Sequence, residues 1–308
     1  MGVLIIGSTA LDDIETTEDK AFGVVGGSAF YAAIATNFFT KPYILGRVGN
    51  DFPDEYLIKF ESLGIDLEGV QKGEDKKTFH WYGKYLENFD DRVTISLDLG
   101  TWIDFSVKIP ERYFEEDINV VFLANIDPKF QLEVYNKFKD KGAFFILDTM
   151  NFYIENFRDE LNKVIPKVNL FIINEEEYKL LTGEKNIYLA FEKLFLMYDS
   201  SSLKYIVIKK GSHGSILMSK KGELFILPAY PIKEVKDPTG AGDSFAGALA
   251  GYLSKLNDFS FLSIKKGLLY ATVVSSFTIE DFSIDRLLNI SFNDINQRVE
   301  NLKNYISI

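Results

Sequence analysis

The sequence predicts an α/β fold: a mainly parallel central sheet with helices on both faces, plus a small antiparallel β lid. Three observations carry that expectation. Short apolar runs alternate with stretches of helical periodicity along most of the chain, the order that a parallel sheet covered by helices requires. One stretch departs from this, with period-two patterning on both sides of a polar turn, which predicts an antiparallel pair. A chain of 308 residues with 46% hydrophobic content is also ample for a substantial core.

Val3-Leu4-Ile5-Ile6 is short, branched and closed by Gly7, so it reads as a buried first strand. Gly26-Gly27 follows, and then Ser28 to Phe39, where Phe30, Ile34 and Phe38 fall at helical spacing behind Ser28 as the expected cap. Tyr43-Ile44-Leu45 returns as a strand. Further strands are expected at Val120–Leu123, Phe144–Leu147, Leu170–Ile173 and Tyr205–Ile208, with helices such as Lys129–Lys139 and Ile187–Tyr198 between them.

The departing stretch is Thr78–Tyr85 and Arg92–Leu99, joined by Glu87-Asn88-Phe89-Asp90-Asp91. Phe79, Trp81, Tyr85 and Val93, Ile95, Leu97 alternate with polar residues, which predicts one apolar face. Nothing local covers such a face. A lid over a site, a subunit contact and an edge addition to the main sheet are all open at this level.

The net charge of −11 opposes nucleic-acid or anionic-membrane binding, both of which need clustered positive charge. The chain has no cysteine, which removes disulfides, thiolate nucleophiles and cysteine-ligated metals. With two histidines, His80 and His213, it has no multi-histidine metal site either. Met1–Gly7 carries no basic leader and no run approaches a membrane span, so a cytoplasmic protein is expected.

The chemistry concentrates in Asp237-Pro238-Thr239-Gly240-Ala241-Gly242-Asp243. Phe245, Leu249, Tyr252, Leu253 and Leu256 mark one helical face directly after it, so a helix starts near Ala241–Asp243. The N–H groups of Gly240, Ala241 and Gly242 would then be unpaired at the positive end of the helix dipole, where an anion is favoured. Glycine lets phosphate oxygens reach the amides, while Gly247 and Gly251 allow close helix packing. The dipole is expected to keep Asp243 ionised. A carboxylate beside an anion hole suits transfer of a phosphoryl group to a hydroxyl that must lose its proton. Rival phosphate and dinucleotide motifs are missing: there is no Gly-Lys-Ser or Gly-Lys-Thr, and Gly7-Ser8-Thr9 is not a G-x-G-x-x-G turn.

Asp237 to Gly247, read as D-P-T-G-A-G-D-S-F-A-G, resembles the C-terminal signature of the ribokinase-like (PfkB) carbohydrate kinases. The resemblance extends over nearly the whole chain and implies one ribokinase-like domain over residues 1–308, with a lid from about 12–22 and 78–105 inserted in it. It implies an ATP-dependent sugar kinase with Asp243 as base and the Gly240–Gly242 backbone as anion hole. Asp12, after the first strand, matches the substrate-binding aspartate, and Gly26-Gly27 resembles the N-terminal signature that lets substrate approach the backbone. Tyr31 stands where sugar kinases commonly have a sugar-contacting Asn, and a phenol cannot reproduce an amide's paired donor and acceptor. A nucleoside or cyclitol therefore stays in view as substrate.

Asn174-Glu175-Glu176-Glu177 resembles the family's Asn-x-x-Glu motif, implying Asn174 near the nucleotide phosphates and Glu177 on Mg²⁺ through water. Lys209-Lys210-Gly211 resembles the nucleotide-proximal loop, with Lys209 or Lys210 on phosphate and Gly211 beside adenine or ribose, and Gly240 and Gly242 complete that set. Asn151 and Asn125 fall at strand ends on the open edge of the sheet and are expected substrate contacts. Asp237 and Thr239 match ligands of a monovalent cation such as K⁺, with Ser283 in the corresponding late loop. Ser276–Glu280 lacks the glycine expected there. The implied partners are a small hydroxylated substrate and a second copy of the chain through the lid. A non-catalytic sugar or nucleotide sensor on this fold is the alternative from another class.

Overall fold

The computed structural model describes residues 1–87, 89, 92–199 and 202–307. Its strands are β1 (Gly2–Ile6), β2 (Ala10–Glu15), β3 (Lys20–Gly26), β4 (Lys41–Val48), β5 (Val70–Lys72), β6 (Phe79–Tyr85), β7 (Arg92–Asp98), β8 (Ile118–Leu123), β9 (Phe144–Leu147), β10 (Leu170–Asn174), β11 (Tyr205–Lys209), β12 (Ser215–Ser219) and β13 (Leu224–Leu227). The helices are α1 (Ser28–Asn37), α2 (Asp54–Ser62), α3 (Pro128–Phe138), α4 (Asn151–Asn156), α5 (Arg158–Val164), α6 (Glu175–Thr182), α7 (Ile187–Met197), α8 (Ala241–Leu256), α9 (Phe261–Thr278), α10 (Asp285–Leu288) and α11 (Phe292–Ile306).

Nine strands form the main sheet in the order β13-β12-β11-β10-β9-β8-β1-β4-β5. All neighbours from β11 to β5 are parallel, and only β12 and β13 run antiparallel at the edge. Alternate side chains of these strands feed two separate cores. Val3, Ile5, Val120, Phe122 and Ile172 pack with α1, α8 and α9, while Leu4, Ile6, Val121, Leu123, Phe171 and Ile173 pack with α3, α6 and α7. Burial on both faces is why these strands are continuous apolar runs in sequence.

Helices α1 and α8 pack closely because small residues face each other. A Cβ on Gly247 would lie 2.3 Å from the Ala32 carbonyl oxygen, and Thr36 Oγ1 donates to the Gly247 carbonyl at 2.8 Å. This contact fixes the N-terminus of α8 against α1. Ser28 is not the cap of α1. Gly27, at φ 91°, occupies that position, and the Ser28 hydroxyl instead accepts from the Ser8 amide and donates to the Asn125 carbonyl.

The second sheet has the order β3-β2-β6-β7 and consists of two antiparallel hairpins joined by parallel pairing of β2 with β6. The expected single apolar face of the β6–β7 hairpin does not form. A bulge between Tyr82 and Gly83 shifts the register, so Leu97 lies opposite Trp81 whereas Val93 lies opposite Lys84. A one-residue slip moves side chains to the other face. Val93 and Leu97 therefore face opposite sides, and both remain about half exposed. Of the expected turn, Asn88, Asp90 and Asp91 lie outside the described residues.

Candidate active site

Helix α8 starts where expected, and the reason is Gly240. Its φ of 74° is left-handed, and a Cβ there would stand 2.3 Å from ring carbons of Tyr31. Both conditions demand glycine. The turn leaves the amides of Gly240, Gly242 and Asp243 without a hydrogen-bond partner among the described residues. The Ala241 amide differs from expectation: it turns back to the Pro238 carbonyl at 3.3 Å, so it is committed to the loop.

Lys209, from the end of β11, closes the other side of this cradle. Its Nζ lies 3.1 Å from where a Gly242 Cβ would stand, and 3.0 and 3.2 Å from the two carboxylate oxygens of Asp148. Lys210 turns away toward Glu175, 3.9 Å distant. Burial by itself would lower the pKa of Lys209, but the carboxylates of Asp148 and Glu177 outweigh it and raise the pKa. The ammonium is therefore charged and stands beside Gly242.

Asp243 sits in the first turn of α8. Burial pushes its carboxyl up to about 7, reinforced by Asp148 and opposed by Lys209 and Arg92. An ionised Asp243 was the expectation; burial brings its titration near neutrality. A group titrating near neutrality is well placed to accept a proton.

Asn174 caps α6 through a complete capping box. Its Oδ1 accepts from the Glu177 amide at 2.9 Å, its own amide donates to Glu177 Oε2 at 2.7 Å, and its Nδ2 donates to Oε1 at 2.6 Å. The box holds the Glu177 carboxylate inside the cleft, where burial pushes it up to about 8 despite Lys209. Gly211, at φ 52°, opens an exposed turn after β11.

Asp12 is buried on β2. Burial raises its pKa well above the usual range, and Asp237 and Asp243 add to the effect. Its carboxylate fills the space over Gly26, where a Cβ would stand 1.9 Å from Oδ2. A Cβ on Gly27 would meet the Ser8 carbonyl at 2.5 Å. The two glycines thus admit Asp12 and the chain's own backbone, rather than leaving bare backbone for a substrate. Tyr31 is buried as a floor beneath Gly240, and its hydroxyl has no partner. Asn125 Oδ1, Thr149 Oγ1 and Asn151 Oδ1 are also buried without partners at the mouth of the sheet. Unpaired buried polar atoms are costly, and a polar ligand would relieve them.

Asp237 is fully buried, accepts from the Thr239 and Ser283 amides at 2.8 and 3.2 Å, and is pushed by burial up to about 6. Ser283 adopts a left-handed φ of 55° and also donates to the Val25 carbonyl, tying the loop to β3. The Tyr85 and Thr239 hydroxyls lie 3.0 Å apart, a second tie between the small sheet and this loop.

Sequence reasoning missed Asp148, Arg92 and Tyr85. Asp148 directly follows the expected strand Phe144–Leu147, three residues before Asn151, a signal that was available. Arg92 and Tyr85 face each other across the β6–β7 ladder, and their reach into the cleft depends on a sheet placement that spacing does not show.

The model of the pfkB family carbohydrate kinases matches residues 22–286. The cytidine kinase of Thermococcus kodakarensis is 31% identical over 262 residues, covering 82% of this chain and 88% of that protein. The Burkholderia thailandensis nucleoside kinase in complex with inosine has the same fold, with a TM-score of 0.76 at 21% identity over 98% of this chain and 99% of that one. The Arabidopsis thaliana ribokinase complexed with ribose and ATP gives 0.77 at 20% identity over 97% and 98%.

Glu177, Asp243 and Asp237 have folded pKa values of about 8, 7 and 6, against about 4 for unfolded carboxyls. The folded state then holds more protons than the unfolded chain, so stability present near pH 4 is lost as pH rises through this range. The melting temperature of the ligand-free protein is expected to fall from pH 5 to about pH 8.5, and to fall less in Glu177→Gln. A melting temperature that rises over this interval would contradict these shifts. By the match of its family model over most of its length, the chain belongs to the pfkB family of carbohydrate kinases.

Proposed function

We propose that this protein transfers the terminal phosphoryl group of ATP to a hydroxyl of a sugar or nucleoside, with Asp243 taking the proton. One juxtaposition carries the reading: a carboxyl titrating near 7, the free amides of Gly240 and Gly242, and the Lys209 ammonium meet at one helix N-terminus. The amides and Lys209 stabilise charge on the moving phosphoryl group, and Asp243 accepts the proton of the attacking hydroxyl. Asp12 binds hydroxyls of the acceptor. Asn125 and Asn151, with unpaired oxygens at the sheet mouth, line the acceptor side, and Gly211 borders the nucleotide. Tyr31 supports the acceptor site from below through its unpartnered hydroxyl.

Kinases of this family use ATP with Mg²⁺. Glu177 fits that ion as an outer contact, because its buried carboxyl is short of positive charge and Mg²⁺ keeps much of its water. The ion supplies charge neutralisation on the phosphates when bound. Asp237 and Thr239 are suited to a K⁺ beside the anion hole on the same ground, since burial pushes the Asp237 carboxyl up to about 6 even though it accepts from two amides.

Residues 1–308 act as one unit in which about 12–22 and 78–105 form a lid, and closure excludes water that would otherwise hydrolyse ATP. The exposed Val93, Ile95 and Leu97 of β7 offer a second copy an apolar edge, so a dimer is expected by light scattering. No helix among the described residues is long and apolar enough to cross a membrane, and a cytoplasmic site of action suits the ATP requirement. Intact Asp243 and free amides favour an enzyme over a non-catalytic sensor.

The test is ADP release with ATP–Mg²⁺ in KCl across sugars, cyclitols and nucleosides. Asp243→Asn is expected to lower kcat by about 100- to 10,000-fold, and NaCl in place of KCl to lower activity. The wild-type kcat/KM is expected to rise with pH and level off above about 7, as Asp243 ionises. Near wild-type turnover by Asp243→Asn would remove the assignment of the base.

A further inference from the structure

The inner face of the small sheet carries an aromatic group in register with Asp12. On β2 and β6, Asp12 pairs with Trp81, Ile14 with Gly83 and Ala10 with Phe79, so these side chains share a face. That face is turned to the catalytic loop. Tyr85, on the same face, reaches Thr239, and Trp81 packs beside Ile14, Tyr85 and Phe282.

Trp81 is held in a fixed pose. Its six-membered ring occupies the space where a Gly83 Cβ would stand, 2.0 and 2.1 Å from Cη2 and Cζ2. Any side chain at 83 would displace it. The indole Nε1 donates to Thr94 Oγ1 at 3.2 Å, so its polar edge is satisfied within the small sheet. The Arg92 guanidinium carbon lies 5.8 Å from the ring centroid. Despite these contacts the side chain stays partly exposed, whereas Trp102, the other tryptophan, is buried with Phe105 and Phe130.

Adjacent strands are about 4.8 Å apart, which one furanose ring spans. A ribosyl group whose hydroxyls bind Asp12 is thus long enough to set its C1′ substituent against Trp81. A free sugar has only a hydroxyl to place there, and an indole offers it no hydrogen bond. A nucleobase has a flat face that stacks on an indole.

Resting on the kinase reading above, we infer that Trp81 is the platform on which the base of a nucleoside acceptor stacks, and that it selects nucleosides over free sugars. Asp12 anchors the ribose and Trp81 reads the base. Gly83 and Thr94 are positioning residues that hold the ring.

Two tryptophans make the test direct. In Asp243→Asn without ATP, cytidine, adenosine and inosine are titrated against intrinsic fluorescence, with ribose as control. Nucleosides are expected to change the emission and ribose to leave it unchanged. The change should vanish in Trp81→Phe and persist in Trp102→Phe. In turnover assays Trp81→Ala should raise the nucleoside KM by about ten- to a hundredfold with little change in kcat, and Trp81→Phe should restore most of the affinity.

Equal responses to ribose and nucleosides, or no response to any nucleoside, would overturn the platform. So would an equal loss of kcat/KM for ribose and nucleosides in Trp81→Ala, the mark of lid packing alone. A Trp81-dependent response to nucleosides in a wild type that phosphorylates nothing would uphold the platform and sink the kinase reading. Turnover of sugars without nucleosides would do the reverse.

Discussion

The active end of this protein depends on one backbone constraint, the left-handed turn at Gly240 seated on the Tyr31 ring. Because α1 and α8 meet through Gly247 and Ala32, the floor under that turn belongs to the same rigid packing as the core. The turn directs the Gly240 and Gly242 amides outward and sets Asp243 in the first helical turn. Phosphoryl transfer needs little covalent help from a protein, so under the proposed reading these pre-set donors and a carboxyl beside them would account for most of what a kinase site must supply.

Around that turn the chain concentrates carboxyl groups. Asp12, Asp148, Glu177 and Asp237 are buried, and Asp243 shares their cleft. Lys209 is the cation held among them, bound to Asp148 and filling the space where a Gly242 side chain would stand, with Arg92 acting from the edge of the small sheet. Burial drives the acids upward in pKa because two cations do not offset five carboxyls. Raised carboxyl pKa values clustered in one cleft are the kind of arrangement that a functional site retains at a cost in stability.

The main sheet was legible because its strands are buried on both sides and read as unbroken branched runs, as at Phe144–Leu147, whose limits the structure reproduces. The start of α8 was legible because glycine and the apolar face after it act locally. What sequence periodicity concealed was set by distant partners. The bulge at Tyr82 and Gly83 splits Val93 from Leu97 by a single residue, a shift that alternation alone cannot register. Gly26 looked like open backbone until β2 laid Asp12 across it. The titration of Asp243 follows first from burial in the folded cleft and then from Asp148, which is distant from it in the chain.

The most direct measurement of the account is single-turnover ADP formation by Gly240→Ala, with the acceptor that supports wild-type turnover and with circular dichroism confirming the fold. The account predicts a folded protein whose transfer step is slower by about a hundredfold or more, because the methyl group meets Tyr31 and turns the amides away. A folded Gly240→Ala protein that transfers phosphoryl at the wild-type rate would contradict it.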